Sequence, residues 1–163
     1  VRRGFLRRLR TSLTAYLAFV PVFTAASICN LVVVVLILKA LGRPILPEQQ
    51  ETIQLLVNAE LDPIVRAALW TYAAVGAAIT EELLIRGLLY GALRRHLGWQ
   101  ASAFSTALLF GLLHFDPLRF LPLALLGFFL AVLRERTHGL TVPICVHALH
   151  NSLVLLMLAA LGA

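Results

Sequence analysis

Glu81-Glu82-Leu83-Leu84-Ile85-Arg86 sets two carboxylates and a guanidinium inside a run that is otherwise apolar. At about 100° per helical residue, Glu82 and Arg86 share one face within salt-bridge reach, and Glu81 points about 100° away. The phase divides the cluster. Arg86 neutralises Glu82 and helps hold its helix, which leaves Glu81 to act on a substrate or a water. Two further spacings carry chemistry. Ser102, Thr106, Phe110 and His114 recur every four residues, so one stripe of a helix is polar or aromatic; His147 and Asn151 present two hydrogen-bonding groups on one face, with His150 at its edge. A carboxylate and a histidine can activate water, and His and Asn donors can meet the negative charge of a tetrahedral carbonyl carbon. Nucleophilic catalysis is poorly supplied: there is no G-x-S-x-G, and Cys145 lies two residues before His147, nearly opposite it on a helix.

The elements that must position these groups read as membrane spans. A hydrophobic fraction of 60% against 13% charged residues, in a chain of 163, exceeds what a soluble domain carries. Apolar runs give about five helices: Ala15 to Leu38, Ile64 to Leu93, Trp99 to Phe115, Leu118 to Leu133 and Leu140 to Leu161, the third and fourth being short. The fold class expected is therefore all-α, a polytopic transmembrane bundle formed by a single domain over residues 1–163. Between the first two spans, Leu41 to Pro63 is polar, and Glu51 to Ala59 within it is predicted as a small surface helix. The basic N-terminus reads as the flank of a retained first helix, because the apolar run behind it has no small-residue cleavage signature. Gly87 and Gly91 form a small-xxx-small pair that admits a neighbouring helix.

The net charge of +6 lies mostly at the ends of apolar runs, which argues for helix orientation and against nucleic acid. With the N-terminus in the cytosol, Arg2, Arg3, Arg7, Arg8, Arg10, Arg94, Arg95, Arg134 and Arg136 fall on that side; the arginine-rich N-terminus reads first as a topology determinant, with membrane lipid as the partner it could touch. Cys29 and Cys145 form neither a disulfide framework nor a CxxC signature. Counting about 1.5 Å per residue from those ends puts Glu82 about 18 Å deep, His114 about 22 Å, His147 about 16 Å and Asn151 about 22 Å. Residues of three spans share one level. A charge at a helix centre costs about 2.5–3.5 kcal/mol, so Glu81, Glu82 and Arg86 predict an intramembrane polar cavity. Asp116 and Pro117 break the chain near that level, which requires a wet cavity or a covering of protein.

Glu81-Glu82-x-x-x-Arg86, Phe110-x-x-x-His114 and His147-x-x-x-Asn151 stand in that order on separate apolar spans, with the flanking runs RGLLYGALRR and FGLLH. Together they resemble the three motifs of the CPBP family, the CAAX-protease and bacteriocin-processing intramembrane endopeptidases, over roughly Thr71 to Leu158. Ile85 stands where that family usually has Phe. The resemblance implies a glutamic-type intramembrane protease in which Glu81 and His114 hold and activate the hydrolytic water, and His147 and Asn151 stabilise the oxyanion. Glu82, Arg86, Phe110 and His150 would support the site, Phe110 by shaping the pocket. It implies a substrate peptide bond in or next to a membrane-associated segment, such as a lipidated tail, a bacteriocin leader or a C-terminal sorting helix. No cofactor is expected, although His114, His147 and His150 with Glu81 as base would also suit a zinc-dependent version. Arginine-heavy usage suggests a multi-pass protein of a prokaryotic cytoplasmic membrane; oligomeric state is not legible. Two rivals from other classes use the same residues: a small transporter or proton pathway, and a non-proteolytic regulator retaining the fold.

Overall fold

The computed structural model describes residues 2–43 and 61–160, and they form five helices without a strand. These are α1 Arg2–Ala40, α2 Pro63–Leu93, α3 Trp99–Leu112, α4 Phe120–Thr137 and α5 Thr141–Ala160. Four of the five predicted spans lie within or nearly within these bounds, and the third runs three residues past α3. The surface helix expected at Glu51 to Ala59 falls outside the described residues.

Each boundary has a local cause. Pro63 opens α2 where its missing N–H is harmless, and Asp62 caps the end, its Oδ1 accepting from Ile64 N at 2.8 Å and Val65 N at 3.3 Å. At the other end, α4 stops at His138, whose φ of 50° is left-handed and breaks the helical hydrogen bonding before α5 starts. Helices α1, α2 and α5 contain apolar stretches long enough to cross a bilayer. The 14 residues of α3 reach only about 21 Å, so the α3–α4 connection lies inside the bundle's depth.

Polarity is arranged inside-out. Leu17, Leu36, Leu84, Leu88, Leu156 and Met157 face outward, whereas Glu82, Arg86, Ser102, Thr106, His147 and His150 are buried. Water would penalise that outer surface, and hydrocarbon suits it. Helices α4 and α5 both pack against α1 and against α2, and α3 lies along α4. The apolar core joins Tyr16 and Phe19 of α1, Ile85 of α2, Phe110 of α3, Leu126 and Leu130 of α4, and Val146 of α5. Phe19 stacks on Phe129 with centroids 4.3 Å apart.

Of the predicted pair, a Cβ on Gly87 would stand 3.3 Å from Leu140 Cδ1, and the closest approaches between helices are made at other glycines. A Cβ on Gly91 would meet nothing within 4 Å, whereas one on Gly127 would stand 3.2 Å from Ala107 Cα and Phe110 Cδ1 and 3.3 Å from Arg86 Nη2. Gly111 faces α4 in the same way, 2.9 Å from the Phe120 carbonyl oxygen. Hydrophobic runs all round α2 and α4 hide from the sequence which face meets a neighbour. Gly127→Ala is accordingly expected to destabilise the bundle by about 1–3 kcal/mol through overpacking, and Gly91→Ala to leave it as stable or better. Thermal unfolding of the two variants in the same detergent checks the contrast.

Candidate active site

The middle of α2 departs from α-helical winding on both sides of the acidic pair. Tyr72–Gly76 and Leu83–Leu89 form π turns, with the α-helical Ala77–Glu82 between them. A π turn bonds i to i+5 and is wider than an α turn, a departure found frequently at functional sites. Arg86, in the second π turn, donates from Nη1 to Glu82 Oε1 at 2.7 Å, with both side chains fully buried. Its Nη2 donates to the Gly127 carbonyl at 2.9 Å, and its guanidinium carbon lies 4.6 Å over the Phe110 ring. A charge at this depth is thus matched by a carboxylate, a backbone carbonyl and an aromatic face.

His147 reaches from α5 to both carboxylates. Its Nδ1 lies 3.0 Å from Glu82 Oε1, in position to donate to it. That turns Nε2 toward Glu81, 3.7 Å from Oε2. Glu81 and Glu82 differ in phase as the sequence predicts, yet one imidazole spans them, since its two nitrogens lie on different edges. Glu81 Oε2 has no hydrogen-bond partner, and the Glu81 side chain is 34% exposed, in contrast with the sealed Glu82.

His114 follows the last turn of α3. Its Nδ1 lies 2.7 Å from the Phe110 carbonyl, which accepts the proton, and its ring meets Phe110 edge-on at 4.9 Å. Phe110 also faces the His147 ring at 5.6 Å. It therefore touches three of the expected site residues while remaining buried. Ser102 and Thr106, the upper part of the polar stripe, point inward but spend their hydroxyls on the carbonyls of Gly98 and Ser102 in their own helix. Asn151 donates from Nδ2 to the Ala73 carbonyl at 3.2 Å, within the first π turn of α2.

One cavity of about 360 Å³ is lined by Glu81, His114, His147, His150 and Asn151 together with apolar residues including Phe23, Leu123 and Leu158. Glu82, Arg86 and Phe110 stand behind it. Another cavity, of about 340 Å³, opens at the end of the bundle where α1 and α5 begin and α4 finishes; Arg7, Arg136 and His138 line it, and it contains none of the expected site residues. No group of three or more His, Cys, Asp or Glu side chains among the described residues is placed to hold a metal ion. Of the three histidines considered for zinc, His147 turns Nδ1 to Glu82 and His150 turns Nδ1 to the Tyr16 hydroxyl.

Two residues of α1 that motif reading missed also reach the site. Tyr16 lies against His150, and Asn30 donates from Nδ2 to the Leu118 carbonyl at 2.6 Å. The connection after His114 is held further by Asp116, which accepts from Leu118 N at 2.9 Å and pairs with Arg119 at 3.1 Å. Protein groups thus cover polar backbone at membrane depth, as that depth demands. A lone Asn in the apolar run Ala25 to Leu38 was the available signal. Asn30→Leu is expected to cost about 1–3 kcal/mol, because it leaves a carbonyl without its donor. Faster proteolytic cutting between Leu113 and Arg119 in a limited-digestion time course would report the loosened loop.

Comparison with known proteins agrees with the motif-bearing part of this arrangement. Residues 63–153 match the family described as type II CAAX prenyl endopeptidase Rce1-like. A Bacillus subtilis protein named "Putative membrane peptidase YdiL" is 29% identical over 85 residues, which are 52% of this chain and 35% of that protein. The chain therefore spans about a third of that relative's length. No solved structure matches.

Proposed function

Because the chain belongs to the type II CAAX prenyl endopeptidase Rce1-like family, we propose that it is an intramembrane endopeptidase that hydrolyses a peptide bond in or near a membrane-associated segment. The observation that carries this reading is the convergence of Glu81 of α2, His114 just after α3, and His147 and Asn151 of α5 on one cavity. In the proposed reaction Glu81 takes a proton from water, and His114, with Nδ1 committed to the Phe110 carbonyl, offers Nε2 to the same water. Attack on the scissile carbonyl forms a tetrahedral oxyanion, which His147 and Asn151 meet as donors.

The surroundings of His147 support its role as a donor. Nε2 faces Glu81 Oε2 at 3.7 Å, beyond hydrogen-bond reach, so its N–H is left for the substrate. Glu82 holds the opposite nitrogen, so an imidazolium can present Nε2–H to the oxyanion without turning. Arg86 pairs with Glu82 at 2.7 Å and holds it in place. Asn151 has a second amide hydrogen left after the bond to Ala73.

The reaction drawn needs no metal. Purified protein is expected to keep its cleavage rate after exhaustive chelation and to contain no stoichiometric zinc; one tightly bound zinc whose removal abolishes cleavage would overturn that part. Liposome reconstitution separates the rival class, because a transporter would move protons or solute without cutting peptide. For topology, we place the N-terminus in the cytosol of a prokaryotic cytoplasmic membrane. Arg7 and Arg136 line one cavity, and Arg94 pairs with Glu135 at 3.0 Å, so basic residues from three helices gather at one end of the bundle.

A further inference from the structure

His150 is a buried histidine that this reaction leaves unused. It is 6% exposed, stands one residue before Asn151 and lines the same cavity as Glu81. Its Nδ1 lies 3.2 Å from the hydroxyl of Tyr16, itself 5% exposed, on α1. Phe23 meets the imidazole edge-on at 4.6 Å, and the Tyr16 ring does so at 6.0 Å. One helix therefore fixes both the plane and the hydrogen bonding of this ring. A phenol O–H donates to an unprotonated imidazole nitrogen, and in that tautomer the ring proton resides on Nε2. Nε2 makes no hydrogen bond among the described residues, and it is absent from the polar atoms sealed away without a partner. His150 also lies about 4.5 Å further along the helix axis than His147, so the two imidazoles meet different points of a bound chain.

We propose that Tyr16 is a positioning residue which, by donating to His150 Nδ1, makes His150 Nε2–H a second donor for the substrate backbone, directed at a carbonyl neighbouring the scissile one. The inference rests on the peptidase reading for the identity of the substrate, but the state of the ring does not. Tyr16 lies outside the family-matched residues 63–153, so α1 orients a substrate contact that lies beyond the three motifs. An N–H held in place before binding loses less freedom on contact than a mobile one. Such a donor acts on substrate affinity, whereas His147 and Asn151 act on the oxyanion.

The test has two arms. In the first, the full chain labelled with ¹⁵N-histidine is placed in lipid nanodiscs, and the His150 ring signals are assigned by their loss in His150→Gln. The wild type is expected to show a protonated Nε2 and an accepting Nδ1, and Tyr16→Phe, which keeps the ring packing, to lose that single tautomer. A protonated Nδ1 in the wild type, or unchanged signals in Tyr16→Phe, would overturn the role of Tyr16. In the second arm, cleavage is measured on a synthetic peptide spanning a bond that the wild type is found to cut. Tyr16→Phe and His150→Phe are expected to raise KM about tenfold with the smaller change in kcat, and His150→Gln, which retains an N–H donor, to recover most of the loss. Equal defects in His150→Gln and His150→Phe, or a defect confined to kcat, would overturn the substrate contact. A wild type that cuts nothing would sink the peptidase reading instead, and the ring spectrum would still decide what Tyr16 does.

Discussion

Membranes carrying Glu81→Gln are expected to lose peptide cleavage about 10³-fold relative to wild type, within the range by which a positioned general base accelerates proton transfer. The replacement keeps the shape of the side chain and removes its ability to take a proton. Little of the fold depends on Glu81: its Oε2 makes no hydrogen bond, and the side chain is about a third exposed to the cavity, at 34%. Unfolding temperature should therefore change far less than rate. Initial rates and thermal unfolding on the same preparation check this, and a variant that cuts within a few-fold of wild type would remove Glu81 from the reaction. His114→Ala should lower the rate in the same direction, since His114, just past the end of α3, lines the same cavity.

Arg86→Met is expected to be among the most destabilising single substitutions in the bundle, by about 3–5 kcal/mol, because it leaves a buried carboxylate without its cation. The guanidinium also supplies the bond to the Gly127 carbonyl and the contact over Phe110, so the loss reaches α3 and α4. Arg86→Lys should rescue poorly: one ammonium on a flexible stem does not reproduce a planar fork that serves two acceptors. The informative variant is the double Glu82→Gln, Arg86→Met. With no charge left to strand, it should be more stable than Arg86→Met alone, although His147 then loses its charged acceptor and cleavage stays low. Equilibrium unfolding in mixed micelles reads this out; a double variant no more stable than the single one would show that the ion pair is not what Arg86 contributes.

The three motifs were legible because chemistry-bearing residues stand out against an apolar background. A charge or histidine in a run of Leu, Ala and Phe has few structural uses, and equal depth brought Glu81, His114, His147 and Asn151 to one level before any contact was known. Helix phase also separated Glu82 with Arg86 from Glu81. Phase could not reveal that His147 touches both carboxylates, because that depends on how α5 crosses α2. Nor did it reveal the two π turns, which no residue pattern in Tyr72–Gly76 or Leu83–Leu89 announces. Trp99 to Phe115 and Leu118 to Leu133 read as short spans, and they form helices of 14 and 18 residues; that the connection between them is pinned by Asn30 required the structure. Tyr16 was hidden for a related reason. Aromatic residues are common in membrane helices, and only the distance to His150 distinguishes this one from packing. The polar stripe of α3 shows the converse, since Ser102 and Thr106 face inward yet bond only their own helix.

The central claim is that Glu81 works in the cleavage of peptide bonds, and cells can be asked directly. Protein termini would be compared by mass spectrometry in cells carrying the wild type and in cells carrying Glu81→Gln at equal abundance in the membrane. The account predicts a small set of new peptide ends, in or beside membrane-associated segments, that are present with the wild type and missing with the variant. Identical sets of termini in the two would contradict it.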